Sequence, residues 1–219
     1  MAAMDDADFD RALITSAFNL AAERGWRRFN VAQAARHAGL ALDRARLRFP
    51  SRAVLLLRFG RMADAAALTG ISDEGLRRDR LFGILMRRID VLQNHRAGVL
   101  ALLRTVPCDA RLALLLAASN LRSMGWMLEG AGISAAGPMG ALRAKGLLAV
   151  WLWTLRAWRR DASDDLSATM AALDQALSRA ENAAVWLGPR RRERPPPEPS
   201  EPPPAAEAPE PLEPPPAPP

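Results

Sequence analysis

The stretch from Gly25 to Pro50 constrains the chain most, because Gly25, Gly39 and Pro50 cut it into pieces too short for anything but a tight set of helices. Asn30 precedes Val31, and Gln33 follows three residues after Asn30, the reciprocal side-chain and backbone pattern that starts a helix; Gly39 ends it. After only Gly39-Leu40-Ala41 a second short helix, Leu42 to Phe49, begins and is stopped by Pro50. Upstream, Phe9, Leu13, Ala17 and Leu20, with Ile14 and Phe18 beside them, recur at helical spacing from about Asp8 to Arg24. Gly25 closes that helix and Trp26 turns the chain back toward the core. Downstream, Ser51 is placed to cap a longer helix, Arg52 to about Thr69. Two short helices across a three-residue turn make a helix-turn-helix pattern.

Helical signals continue. They predict helices over 74–93, His95 to Thr105 before Pro107, and Asp109 to Glu129. A glycine-rich joint, Gly130 to Gly140, then introduces Ala141 to Arg160. Ser163-Asp164-Asp165 should cap a last helix carrying Leu166, Met170, Leu173 and Leu177. There is no tyrosine and no Asn-Gly or Asp-Gly hairpin turn, so the expected fold is all-α with about nine helices. Fifteen of the 18 prolines lie between Pro189 and Pro219 among glutamates. A segment so poor in apolar surface cannot offset the entropy of ordering itself. The expected organisation is therefore a helix-turn-helix domain over 1–60, a helical ligand-binding and dimerisation domain over 61–187, and a disordered Pro/Glu-rich tail over 188–219.

Charge is best read by position. All but one of the 30 basic residues are arginine, a bias that a GC-rich genome would produce, so the net +6 says little. From Arg24 to Arg58, however, nine arginines face one acid, Asp43, a local +8 that suits a phosphate backbone. A single cysteine, Cys108, and two histidines, His37 and His95, exclude an intrachain disulfide and supply no metal-ligand spacing. No cofactor is expected. The acidic start, Met1 to Asp10, is not a secretory signal, and the longest apolar runs, Leu112 to Ser119 and Gly146 to Trp153, are too short to span a bilayer. A cytoplasmic protein is expected.

Residues 17–57, AFNLAAERGWRRFNVAQAARHAGLALDRARLRFPSRAVLLL, resemble the DNA-binding region of TetR-family regulators. The match rests on Gly25-Trp26, Asn30-Val31, Ala34-Ala35-Arg36-His37-Ala38-Gly39-Leu40-Ala41 and Arg46-Leu47-Arg48-Phe49-Pro50-Ser51-Arg52. The family's tyrosine and histidine positions hold Arg46 and Arg48, its serine is Ala41, and its lysine is Arg52. Ala41 removes a helix cap, at a cost of about 1 kcal/mol. The chain also resembles the TetR-like accessory proteins of ubiquinone biosynthesis, which bind isoprenoid lipids. That likeness is carried by Arg78-Asp79, by residues 85–101 and by Trp158 to Leu173, where Asp161, Ser163, Asp165, Leu166 and Thr169 match an Asp-x-Ser-x-Asp-Leu-x-x-Thr run. An aromatic stretch of that family is replaced here by Gly132 to Gly140, and its terminal membrane helix by the proline tail.

The first resemblance implies a repressor that binds double-stranded operator DNA and is released by an apolar ligand; the second implies a lipid-binding accessory protein without operator binding. In the first, Leu42 to Arg48 is the recognition helix. Arg44 and Arg48, four residues apart, share the face expected to meet guanine edges, Arg46 lies toward the backbone, and Asn30 and Arg52 anchor phosphates. Met124, Trp126, Met127, Trp151, Leu155 and Trp158 are the expected pocket residues, on two long helices that enclose an apolar cavity in both families. Trp151 and Trp153 cannot face one side of a helix, so one of them should meet a pocket or a partner subunit. Ala168, Ala171, Ala172, Ala176 and Ala180 would allow the close helix approach of a homodimer. No enzyme is expected: Asp164-Asp165 sit where capping acids belong, with no nucleophile or phosphate loop to accompany them.

Overall fold

Caps and breakers draw the element boundaries. In the computed structural model, residues 4–71 and 75–187 are described, with side chains up to residue 182. Asp5 accepts from the Asp8 amide and starts α1 (Asp6–Arg24). Asn30 and Gln33 form the reciprocal box that opens α2 (Val31–His37). Gly39, at a φ of 66° that side chains rarely adopt, makes the turn into α3 (Leu42–Arg48), whose cap position, Ala41, offers no side-chain acceptor. Ser51 accepts from the Val54 amide at the head of α4 (Arg52–Leu68). Then come α5 (Arg77–Gln93), α6 (Arg96–Thr105), a 3-10 turn over Val106–Cys108, α7 (Ala110–Gly130), α8 (Gly137–Trp158) and α9 (Ser167–Leu187).

Among the described residues the chain is all-α, with no strand. Two boundaries differ from the sequence reading by more than two residues. The helix expected from Ala141 begins at Gly137, because Pro138 in its first turn has a preset φ and needs no amide partner there. The helix expected over 74–93 begins at Arg77, after Gly75 turns the chain at positive φ; Glu74 lies outside the described residues. The tail expected to be disordered, 188–219, also lies outside them.

The apolar stripe read on α1 is buried throughout: Phe9, Leu13, Ile14, Ala17, Phe18 and Leu20 are at most 2% exposed. That helix packs on α2 and on α6, while α4 packs on α5 and α7, and α7 on α8. At the crossing of α1 and α6 a Cβ on Gly98 would lie 2.3 Å from the Phe18 carbonyl oxygen, so only glycine fits. The Phe18 ring stacks on His95 and tilts against Phe59 of α4 at a centroid distance of 4.5 Å. Burial among these rings holds His95 below its ordinary pKa, hence neutral. The rings of α1 and α4 are thereby joined to the His95 ring at the head of α6. No helix among the described residues is long and apolar enough to cross a membrane.

Candidate nucleic-acid interface

The start of α2, the outer side of α3 and the head of α4 converge on one cleft of about 550 Å³. Asn30, Leu42, Arg46, Ser51 and Arg52 line it, and Ala45 and Phe49, both buried, form its floor. The Asn30 and Gln33 cap is tight, with both hydrogen bonds at 2.9 Å, and it fixes the angle at which α2 enters. Arg52 donates one N–H to the Trp26 carbonyl at 2.7 Å, and Arg46 one to the Pro50 carbonyl at 3.2 Å. Both guanidinium groups are thus aimed by backbone and keep further donors for an anion. The Ser51 cap engages the third amide of α4, and those of Arg52 and Ala53, at the positive end of the helix, have no acceptor within the helix.

Four of the six residues expected to touch DNA, Asn30, Leu42, Arg46 and Arg52, therefore meet at one place. Arg44 and Arg48 do not. They share a face, as their spacing requires, but that face turns onto α1 rather than outward. Arg48 grips Asp10 through Nε at 2.6 Å and Nη2 at 2.8 Å, and its Nη1 donates to Asp6. Arg44 donates to Asp6 and to the Met4 carbonyl, with its guanidinium 4.4 Å above the Phe9 ring. Arg58 of α4 completes the cluster with a 2.6 Å bond to Asp10. The hydrogen bond from Arg44, joined by the charge of Arg48, holds the Asp6 carboxyl below its usual range. Desolvation works against the Asp10 carboxylate, but the hydrogen bond from Arg48 and the charge of Arg58 carry it below its usual range too. The bond to Asp10 in turn holds Arg48 charged, far above its ordinary value.

The outward side of α3 consequently presents Leu42, Asp43, Arg46 and Leu47, the last 83% exposed. The pairing that redirects the two arginines joins residues 38 apart in the chain, beyond any local pattern. A signal was nonetheless in the chain: acids four apart on α1, Asp6 and Asp10, match arginines four apart on α3.

In the body, the expected pocket residues separate. Met124, Met127, Trp151 and Trp158 are core side chains at most 2% exposed, Leu155 is half-buried, and Trp126 lies on the outer face of α7, 63% exposed. Trp158 donates its indole N–H to Gln93 at 2.8 Å, and Trp151 packs under the Arg88 guanidinium at 4.5 Å. Trp153, by contrast, is 47% exposed. Sequence reasoning missed the polar group at this core. Arg88, buried in α5, has its Nε 3.0 Å from Asp64 of α4, and the Ser123 hydroxyl of α7 donates to the other oxygen of Asp64 at 2.5 Å. Burial pushes the Arg88 pKa down, and Asp64 opposes it. Nη1 of Arg88 has no hydrogen-bond partner among the described residues. Charged residues three or four apart on amphipathic helices read as solvated faces, so nothing local distinguishes Arg88 from Arg87.

The Asp161 run has a structural role. The buried Asp161 carboxylate accepts from the amide and hydroxyl of Ser163 and from the amide and hydroxyl of Thr169. These bonds, those of Ser163 foremost, hold its carboxyl far below the usual range. Asp165 accepts from the Ser167 amide, and between them Leu166 is held at a φ of 56°. Arg96 of α6 ties the Asp161 carbonyl at 2.6 Å. The capping of α9, expected from Ser163-Asp164-Asp165, thus falls to Asp161 and Asp165. Asp-x-Ser-x-Asp-Leu-x-x-Thr is a latch for that helix, and its presence speaks for the fold.

No known family model matches the sequence, and no curated protein does. Solved structures do match. A TetR transcriptional regulator from Nitrosomonas europaea aligns with a TM-score of 0.64 at 20% identity, over 78% of this chain and 97% of its own. TetR-family regulators from Syntrophomonas wolfei and Rhodococcus sp. RHA1 align at 0.57, with 13% and 17% identity, over 83% and 80% of this chain and 97% of each of theirs. At these identities the likeness is one of fold: the chain folds as TetR-family transcriptional regulators do. These matches lend no support to the resemblance to the quinone-accessory proteins.

Proposed function

We propose that this chain, built on the fold of TetR-family regulators, is a DNA-binding transcriptional regulator. The observation that carries the reading is the cleft between α2, α3 and α4, where Arg46, Arg52 and the positive N-terminal end of α4 border a space suited to a backbone phosphate. A phosphate held there by Arg46 and Arg52 would place the exposed side of α3 against the major groove, with Leu42 able to meet a thymine methyl. Asn30 sets the register by fixing α2. A two-fold dimer would present two such helices to a palindromic site. The exposed Leu142, Leu152 and Trp153 of α8, with Ala168 and Ala171 of α9, supply apolar surface for that contact. Control by an apolar ligand would require the core around Met124, Met127, Trp151, Leu155 and Trp158 to open, with Trp126 at its outer edge.

The test is selection of duplexes from a random pool by the full chain, followed by titration across about 50–200 mM salt. A selected sequence and an affinity that falls steeply with salt, with a log–log slope of about −0.9 for each phosphate engaged, are expected. One observation favours a second reading, the fold kept without operator binding: Asp43 and Leu47 stand on the outward side of α3, where an acid meets phosphate poorly. A flat salt response with no selected sequence would establish that reading instead.

A further inference from the structure

Asp5 caps α1 and Asp8 pairs with Arg11 on its own helix, so both acids have local work. Asp6, beyond its place at the positive end of α1, pairs only across to α3: one carboxylate oxygen takes Arg44 and the other takes Arg48. A carboxylate held by two guanidinium donors presents the same acceptor pair that a phosphate offers an arginine fork. The two rungs of this ladder also differ. Asp10, at 19% side-chain exposure, is gripped twice by Arg48 and once by Arg58, which fixes α3 to the scaffold. Asp6, at 65%, is the open rung; it holds Arg44 to the scaffold together with the Met4 carbonyl and the face of the Phe9 ring, and it is the one charged partner among the three.

We propose that Asp6 is a built-in stand-in for DNA phosphate that withholds Arg44 from the operator, while Asp10 keeps Arg48 as a structural strut of α3. The inference rests on the DNA-binding reading and deepens it: Asp6 is a positioning residue that decides which arginine of α3 is available. With Asp6 in place the interface works through Arg46 and Arg52. Without it, the long Arg44 side chain, on the α1-facing side of the same helix, is released and becomes one more phosphate contact beside that helix.

The experiment is the salt titration on the selected duplex, run with the wild type, Asp6→Asn, Asp8→Asn, Arg44→Ala and the Asp6→Asn/Arg44→Ala pair. Asp6→Asn should steepen the log–log slope by about 0.9 and tighten binding about eightfold at about 0.1 M salt, the increment of one phosphate contact. Arg44→Ala alone should leave the slope unchanged, and adding it to Asp6→Asn should cancel the gain. Asp8→Asn removes an equal charge from the same turn of α1 without touching α3, and should have little effect. A gain that survives Arg44→Ala, or one that Asp8→Asn reproduces, would overturn the proposal in favour of general charge repulsion. Binding with identical slopes in every variant overturns this inference alone, whereas no binding by any variant overturns the DNA-binding reading together with it.

Discussion

Alanine in place of glycine inside a helix ordinarily stabilises by about 1 kcal/mol, because glycine loses more backbone freedom on folding. At Gly98 the sign should reverse. An added Cβ would meet the Phe18 carbonyl oxygen at 2.3 Å and its carbon at 2.8 Å, both backbone atoms of α1 that no rotamer change can move. The two helices would have to part by about 1 Å, and a gap of that size forfeits a quarter to a half of the dispersion energy along the seam. Overpacking of this kind costs about 1–3 kcal/mol, the upper end applying where backbone blocks the way. After the propensity gain, Gly98→Ala should lose about 1–2 kcal/mol, which for a chain this long lowers Tm by about 2–8 °C. Gly83 on α5 is the matched control, since its nearest neighbour is the mobile end of Arg87 at 3.9 Å. Gly83→Ala should raise Tm by about 2–4 °C. Thermal melts followed by far-ultraviolet circular dichroism measure both. If Gly98→Ala melts at or above the wild type, the tight α1–α6 crossing is not a structural constraint and the reasoning fails.

Asp64→Ala strands the buried Arg88 charge and should cost about 3–5 kcal/mol in urea unfolding, while Asp64→Leu with Arg88→Met should recover most of it. Asp161→Asn should destabilise by about 2 kcal/mol at neutral pH through its lost acceptors. Because the folded carboxyl of Asp161 titrates below its ordinary value of 3.8, that difference is fully present above about pH 5 and should shrink as the pH falls toward acid; a constant difference would contradict it. If the exposed face of α8 is the proposed dimer seam, Trp153→Glu, which places a charge there, should shift the sedimentation coefficient toward that of a monomer without lowering the melting temperature of the monomer.

Most of the helical plan was legible because it rests on local rules. Asn30 with Gln33, Ser51, Gly25 and Gly39 act within four residues of the backbone they cap or turn, so their effect can be read without knowing the fold. The 3.6-residue stripe on α1 likewise announces its buried face. The boundary of α8 differs because Pro138 reads equally as a breaker and as a first-turn residue, and the structure places it in the first turn, where Gly140 packs tightly on the Ala135 backbone just before the helix.

What the amino-acid order determined alone, then, was the succession of helices, their caps and the short-turn motif at the start, since each depends on neighbours along the chain. The tertiary structure decided what the charged and aromatic side chains do. Arg44 faces Asp6 rather than a groove, Arg88 is buried against Trp151 rather than solvated, and Met127 enters the core while its neighbour Trp126 stays outside it. Each of these outcomes depends on partners far along the chain. A guanidinium goes to whichever carboxylate packing brings within hydrogen-bond reach. That distance is set by how α1, α3, α4 and α5 cross, which no local pattern encodes.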